Sequence, residues 1–335
     1  MKKQTRTLRR TVTFTLAALL LLTVPMQTAS ALFGKGRGAA VSDGISDAPI
    51  AQNTEVRVYR NIPYVGALRA ASRDGGPLTF RIVEEPGKGS VELGENGGFV
   101  YRPAKNKTGS DRFTFTASDE AGNESSPATV RITIERTAAN VTYADMDGNP
   151  SYTAAVDLAE HGVFLGAQVG GSCFFEPQRI VSRGEFVAMA MAAMGAEVSS
   201  VSVTGFCDDD SIPTWAKGYA ASALKNGVVY GVSTEEGVAF ASESAITLNE
   251  AAAVLNRLLT VTDVDLNSYA PSEESWCAQA VANLESVSVI ESGRFSAEDM
   301  RRGLTRAEAA DLLSSAITLM ENKQQSKSLL RTIFG

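Results

Sequence analysis

Ser182-Arg183-Gly184-Glu185, Thr247-Leu248-Asn249-Glu250 and Thr305-Arg306-Ala307-Glu308 each set a hydroxyl residue three positions ahead of a glutamate, directly before an apolar run. Such a quartet is a capping box. The hydroxyl accepts from a first-turn backbone N–H, and the glutamate reaches back to the N–H of the cap residue. The runs that follow, Phe186 to Met194, Ala251 to Leu259 and Ala309 to Met320, are apolar almost all round. Helices of that kind belong in the middle of a bundle. Ahead of the three glutamates, by 33, 35 and 32 residues, stand Tyr152, Trp215 and Trp276.

Each aromatic opens an earlier helix whose apolar stripe continues through Val156 and Ala159, Tyr219 and Ala223, or Ala280 and Leu284. Gly162 and Gly227 end the first two as left-handed caps, and Ser288 makes a weaker stop for the third. Acidic turns precede the first two aromatics, Asp145-Met146-Asp147-Gly148 and Asp208-Asp209-Asp210, and Pro271-Ser272-Glu273-Glu274 replaces them in the third copy. The unit is therefore a helix, a loop and a capped helix, repeated three times. Bringing the second helices together gives one bundle, with the first helices outside and three grooves between copies.

A capping box needs no arginine, yet Arg183 and Arg306 follow the cap in two copies. A helix start already favours an anion through its unpaired N–H groups and its dipole. A guanidinium there adds a planar fork of donors for a carboxylate. Arg183 and Arg306 are thus candidate ligand contacts. On the residues alone, Arg306→Ala should weaken binding of an acidic ligand without unfolding the domain. Leu248 takes the arginine's place in the middle copy, so the middle groove should be weak or vacant.

From Pro49 to about Arg136 the pattern has period two. Apolar residues alternate through 54–60, 78–83, 90–93, 98–101, 112–116 and 129–134, and Gly/Pro/Asn clusters separate the runs. Six or seven short strands of this kind predict an antiparallel β-sandwich. Asp74, Asp119 and Glu124 read as turn and surface residues, not as calcium ligands.

The first residues predict an exported chain with a cleaved leader, an uncleaved anchor being the alternative. Lys2, Lys3, Arg6, Arg9 and Arg10 form a basic start, Leu16 to Val24 the heart of a short apolar stretch, and Ala29-Ser30-Ala31 a small-x-small cleavage pattern. That leader takes five of the 31 basic residues and no acidic one, leaving 26 against 38, a net of −12. Bulk charge then disfavours nucleic acid or an anionic membrane as partner, and an acidic ligand must be held by local arginines. Three cysteines allow at most one internal bridge. Cys173 with Cys207 is the favoured pair, and three free buried thiols is the alternative. There is no Ser/His/Asp set, no metal-ligand spacing and no phosphate loop, so neither catalysis nor a cofactor is expected. His161 is the sole histidine; at a helix end it is expected to complement the dipole.

Residues 49–136 resemble a single bacterial cadherin-like or immunoglobulin-like domain. The resemblance rests on Pro77-Leu78-Thr79-Phe80, Gly89-Ser90-Val91, the Gly98-to-Pro103 run and the stretch from Asp111 to Asp119. The helical repeats resemble surface-layer homology (SLH) modules. That likeness rests on Leu304-Thr305-Arg306-Ala307-Glu308, on Phe175-Glu176-Pro177 followed by Ile180-Val181-Ser182-Arg183-Gly184-Glu185, and on Gly227-Val228-Val229-Tyr230-Gly231 with Ile246-Thr247. The expected fold class is multidomain, a β-sandwich followed by an all-α SLH triplet forming a pseudo-threefold helical bundle. The expected order is leader 1–31, linker 32–48, sandwich 49–136, linker 137–140, repeats 141–200, 201–263 and 264–322, and tail 323–335.

The SLH resemblance implies non-covalent attachment to an anionic, often pyruvylated, secondary cell-wall polysaccharide on the surface of a Gram-positive-type bacterium. Under it, Arg183 and Arg306 bind the acid group, Ser182 and Thr305 fix the helix starts, and Tyr152, Trp215 and Trp276 shape the groove walls. The sandwich is then displayed outward. The alternative is a surface-layer lattice subunit, or an adhesin whose main activity lies in the sandwich.

Overall fold

The structure, a computed structural model, describes residues 48–73, 75–266 and 276–334, with side chains as far as Ser328. The leader, most of the first linker, Asp74 and the Pro271-to-Glu274 turn lie outside the described residues. Among the described residues no helix is long and apolar enough to cross a membrane.

The period-two half folds into two facing sheets. Strands β2 (Thr54–Tyr59), β9 (Ala128–Glu135), β8 (Gly109–Ser118) and β5 (Thr79–Glu84) make one, in that order. Strands β3 (Tyr64–Ala67), β7 (Gly98–Pro103) and β6 (Gly89–Leu93) make the other, and β1 (Ile50–Ala51) pairs with β4 (Ala70–Ala71). The inward residues of these strands, among them Val58, Phe99, Tyr101, Phe113, Phe115, Val130, Ile132 and Ile134, form one buried core.

Six predicted runs became β2 and β5 to β9. Strands β1, β3 and β4, two to four residues long, are too short to show a period. The sandwich is not wholly antiparallel: β2 lies parallel to β9, with Thr54 opposite Val130 and Tyr59 opposite Glu135.

Among the described residues the second half holds six α-helices: α1 (Tyr152–Glu160), α2 (Arg183–Ala193), α3 (Thr214–Lys225), α4 (Leu248–Leu259), α5 (Ala278–Ser286) and α6 (Arg306–Phe334). It is not purely helical. Two ribbons, β10 (Ala167–Val169) with β11 (Ser172–Phe174) and β12 (Val232–Thr234) with β13 (Gly237–Ala239), fill the loops of the first two repeats. All three capping boxes form. Ser182, Thr247 and Thr305 each accept from the backbone N–H of their glutamate at 3.3 Å, and each glutamate accepts from the cap N–H at 2.9 to 3.0 Å. Gly162 and Gly227 adopt positive φ after α1 and α3, and Ser288 does so after α5 despite its side chain.

The second helices α2, α4 and α6 touch one another in the centre. Each first helix, however, packs on the second helix of a different repeat: α3 on α2, α5 on α4, and α1 on α6. The last pairing closes the bundle, and α6 runs on through the tail as far as Phe334.

Just ahead of the boxes, three backbone hydrogen bonds make a ring. Val181 N–H donates to Leu304 O, Leu304 N–H to Ile246 O, and Ile246 N–H to Val181 O, at 2.9, 2.8 and 3.1 Å. Each of these residues sits four before its box glutamate, so the ring fixes the three helix starts against one another.

The sandwich is bolted to the bundle. Along β2, Val58 faces the sandwich core, while Tyr59 faces outward and joins the helical core with Ile62. The Tyr59 hydroxyl and Arg57 Nη2 both donate to Asp157 Oδ1 at 2.8 Å, and Ser314 Oγ donates to Asp157 Oδ2 at 2.7 Å. Asp157 is fully buried in α1. In the other two repeats its position holds Ala220 and Val281, also buried. Only the first copy, whose α1 meets β2 of the sandwich, carries a carboxylate at this position.

His161 completes this network and does more than complement the end of α1. Nδ1 lies 2.8 Å from the Asp157 carbonyl oxygen and Nε2 lies 3.2 Å from Glu321 Oε1. Burial would lower its pKa, but the hydrogen bonds to Asp157 and Glu321 and their charges raise it from 6.5. A group whose folded pKa is raised contributes fully below its unfolded value and loses that contribution as pH rises through the folded one. Stability should therefore fall as pH rises from about 6.5, and His161→Gln should flatten that slope in denaturant titrations at a series of pH values. An unchanged slope would remove His161 from the network.

Candidate functional site

The arginine after each cap is placed by backbone bonds from the neighbouring repeat. Arg306 N–H donates to Arg179 O and Arg183 N–H to Ser244 O, both at 2.8 Å. Both side chains then cross into the next repeat in the cycle. Arg306 Nη1 donates to Phe175 O at 2.6 Å and to Glu176 Oε2 at 2.9 Å, and its guanidinium stacks 4.8 Å from the Phe164 ring centre. Arg183 Nη2 donates to Glu250 Oε1 at 2.5 Å. The side chains are 6% and 13% exposed. Neither is the free, solvent-facing fork that the sequence suggested. A guanidinium carried into a bundle must be paired, and the carboxylates within reach belong to the adjoining copy.

The same cycle relocates the missing charge. Arg306 of the third copy serves the first box region, and Arg183 of the first serves the second. Leu248, buried, therefore stands where the arginine for the Glu308 region would be. The groove without a box arginine is the one between the third and first copies, not the middle one; Arg294 and Arg302 line it instead.

Trp215 and Trp276 are 52% and 55% exposed, whereas Tyr152 is buried against Tyr143. The Tyr152 hydroxyl bridges the Tyr143 N–H and carbonyl, at 3.1 and 3.3 Å. Tyr152 is thus a core residue and not a groove wall.

Trp215 divides two depressions. On one side a cavity of about 270 Å³ is floored by Phe164, Ala188, Met189 and Ala192 and walled by Trp215, Tyr219, Glu185 and Arg306. On the other lies an open pocket of about 580 Å³, bounded by Arg179, Ser182, Glu185, Trp215 and Glu243. Arg179, half exposed, donates through Nη1 to Glu185 Oε1 at 2.7 Å. Desolvation would raise the pKa of Glu185, yet the Ser182 N–H and Arg179 hold it below the ordinary value, so the carboxylate stays charged. The site thus combines an apolar floor, an exposed indole, one buried and one accessible guanidinium, and a capped helix start.

Thr305 faces a different groove, of about 710 Å³, with Pro150, Arg294, Arg302 and Glu308. There Arg302 grips Glu308 through two nitrogens. Sequence reasoning missed Arg179, Arg302, Phe164 and Tyr219. Arg179 and Arg302 both lie six residues before a box glutamate, a recurrence visible once the copies are aligned.

Cys173, Cys207 and Cys277 are free thiols, so the favoured Cys173–Cys207 bridge is not formed; Cys207 is exposed, and not buried as the free-thiol alternative had it. Among the described residues no group of three or more His, Cys, Asp or Glu side chains is placed to hold a metal ion.

Residues 46–136 match the bacterial cadherin-like domain family, in agreement with the sandwich described above. Exoglucanase XynX of Acetivibrio thermocellus is 30% identical over 132 residues, which is 38% of this chain and 12% of that enzyme. Among solved structures, the endo-fucoidan hydrolase MfFcnA4 of glycoside hydrolase family 107 aligns with a TM-score of 0.24 and 15% identity, over 33% of this chain and 17% of that one. Drosophila N-cadherin EC1-4 gives 0.23 and 15%, over 26% and 24%. The SrpA adhesin of Streptococcus sanguinis gives 0.23 and 17%, over 35% and 76%.

Proposed function

We propose that the helical half is a non-catalytic, non-covalent anchor that binds an anionic wall polysaccharide of an exported cell-surface protein, and that it carries the cadherin-like sandwich as its displayed module. The SLH resemblance of the repeats suggested this reading. The observation that carries it is the exposed Trp215 standing between two depressions that hold Arg306 and Arg179.

In this reading a sugar ring lies on the indole while its acid group approaches Arg306. Glu176 already marks that position. It sits on a left-handed backbone residue with φ 56° and its side chain is half exposed, so a ligand carboxylate can take its place on the guanidinium. Arg179 supplies further donors at the rim. Ser182 and Thr305 act through the caps. Trp276, exposed like Trp215, is the equivalent aromatic of the third copy, and Arg183 pairs with Glu250 as Arg306 does with Glu176.

Trp215→Ala should weaken retention on purified wall polymer about tenfold, roughly 1.5 kcal/mol, with little change in Tm because the side chain is exposed. Glu176→Gln should tighten binding several-fold by releasing Arg306 from its internal partner. Salt should loosen attachment of the parent chain. Retention that ignores Trp215→Ala, or survives chemical removal of the polymer's acid groups, would sink the assignment.

A further inference from the structure

We infer that the cleft between the sandwich and the helical half is a second binding site, for a neutral, hydroxyl-rich oligosaccharide strand. The cleft encloses about 960 Å³. Asn53, Tyr64 and Arg69 line it from the sandwich, and Glu291, Arg294 and Asp311 from the helical half. It is distinct from the Trp215 depressions and does not depend on the anchoring role.

The repeat itself shows that this wall is specialised. Glu291 lies three residues after the left-handed cap of its helix, where the other copies have Leu165 and Tyr230. Asp311 lies three after its box glutamate, where the others have Ala188 and Ala253. Two positions that are uncharged in the other copies become carboxylates only in the third, whose Glu291 and Asp311 line the cleft.

Each carboxylate is held ready by an arginine. Arg69 pairs with Glu291 across the two domains, and Arg294 pairs with Asp311, which also accepts from Ser151 Oγ at 2.9 Å. A guanidinium has five N–H donors, so each pair leaves donors and acceptors facing the cleft. The Arg69 and Glu291 side chains are both more than half exposed.

The charges nearly cancel, with two guanidinium groups against Glu55, Glu291 and Asp311. That balance favours a neutral ligand over a polyanion. Planar polar groups offering donors and acceptors together, with the Tyr64 ring for an apolar sugar face, suit a chain of hydroxyls. The volume lies at the upper end of ordinary ligand sites, which also favour domain junctions, and so fits an oligomer better than a single sugar. The buried Asp157 network holds the two walls at a fixed separation, which limits the ordering cost of binding.

The test uses the full chain with three probes: cellotetraose and chitotetraose, both neutral, and a galacturonate tetramer, which is anionic. Amide chemical shifts and calorimetry are the readouts. At least one neutral tetrasaccharide should shift the amides of Asn53, Arg69 and Glu291, and the galacturonate should bind about tenfold more weakly or not at all. The double variant Arg69→Ala/Glu291→Ala, which removes exposed side chains, should lose about tenfold in affinity at unchanged Tm, while Trp215→Ala should bind as the parent does. The inference fails if neither neutral probe moves those amides, if the double variant binds like the parent, or if the galacturonate binds equally well. Loss of polymer retention in Trp215→Ala with intact cleft binding would separate the two sites.

Discussion

Asp157→Ala is expected to lower stability by about 3 kcal/mol, toward the smaller end of what removing one partner from a buried ion pair costs. The lower value applies because the Arg57 side chain is one-third exposed and can recover water, whereas Asp157 is wholly buried. The Tyr59 and Ser314 hydroxyls lose their acceptor in the same substitution. The larger consequence is mechanical. Arg57 and Tyr59 are the sandwich's polar hold on α1, so the two halves should move more independently in the variant than in the parent, with the packing of Tyr59 and Ile62 and the Arg69–Glu291 pair still joining them. Backbone ¹⁵N relaxation reads this directly. A single correlation time with an unchanged Tm would refute the role given to Asp157. Arg57→Ala, acting on a partly hydrated partner, should cost less.

Arg306→Met should be the second large effect, and it touches fold and binding together. Its guanidinium satisfies the Phe175 carbonyl, pairs with Glu176 and contributes to keeping Glu185 ionised. Methionine fills the space but leaves the Phe175 oxygen unpaired, so a loss of about 3 kcal/mol is expected, or a fall in Tm of roughly 6–12 °C. This revises the expectation, drawn from sequence alone, of weakened binding in a stable domain. Polymer retention should also be lost, and Glu176→Gln separates the two effects because it keeps the arginine. If Arg306→Met lowers Tm while the folded protein still binds polymer as well as the parent, the arginine is structural only.

The parts of this protein readable in advance were those governed by near neighbours along the chain. Period-two alternation gave the strands β2 and β5 to β9, and the Ser/Thr-x-x-Glu quartets gave three helix starts to the residue. Gly162 and Gly227 gave two helix ends. These features depend on which face of a strand or helix is apolar and on which side chain reaches its own backbone, both local matters. The three equivalent aromatics, all expected as groove walls, differ in exposure: Trp215 and Trp276 are accessible, whereas Tyr152 is not, because Tyr143, nine residues earlier, folds over it.

Sequence by itself determined a β-sandwich, a threefold helix–loop–helix repeat and the capped helices at its centre. Only the tertiary structure decided that the box arginines cross into neighbouring repeats, that Leu248 leaves the groove beside Glu308 without a box arginine, and that Asp157 fastens the sandwich to the bundle. The reason is physical. A buried charge takes whichever opposite charge the packing brings within reach, and Arg306 meets Glu176 from 130 residues away, just as Arg57 meets Asp157 from 100. Spacing along the chain carries no trace of such pairings.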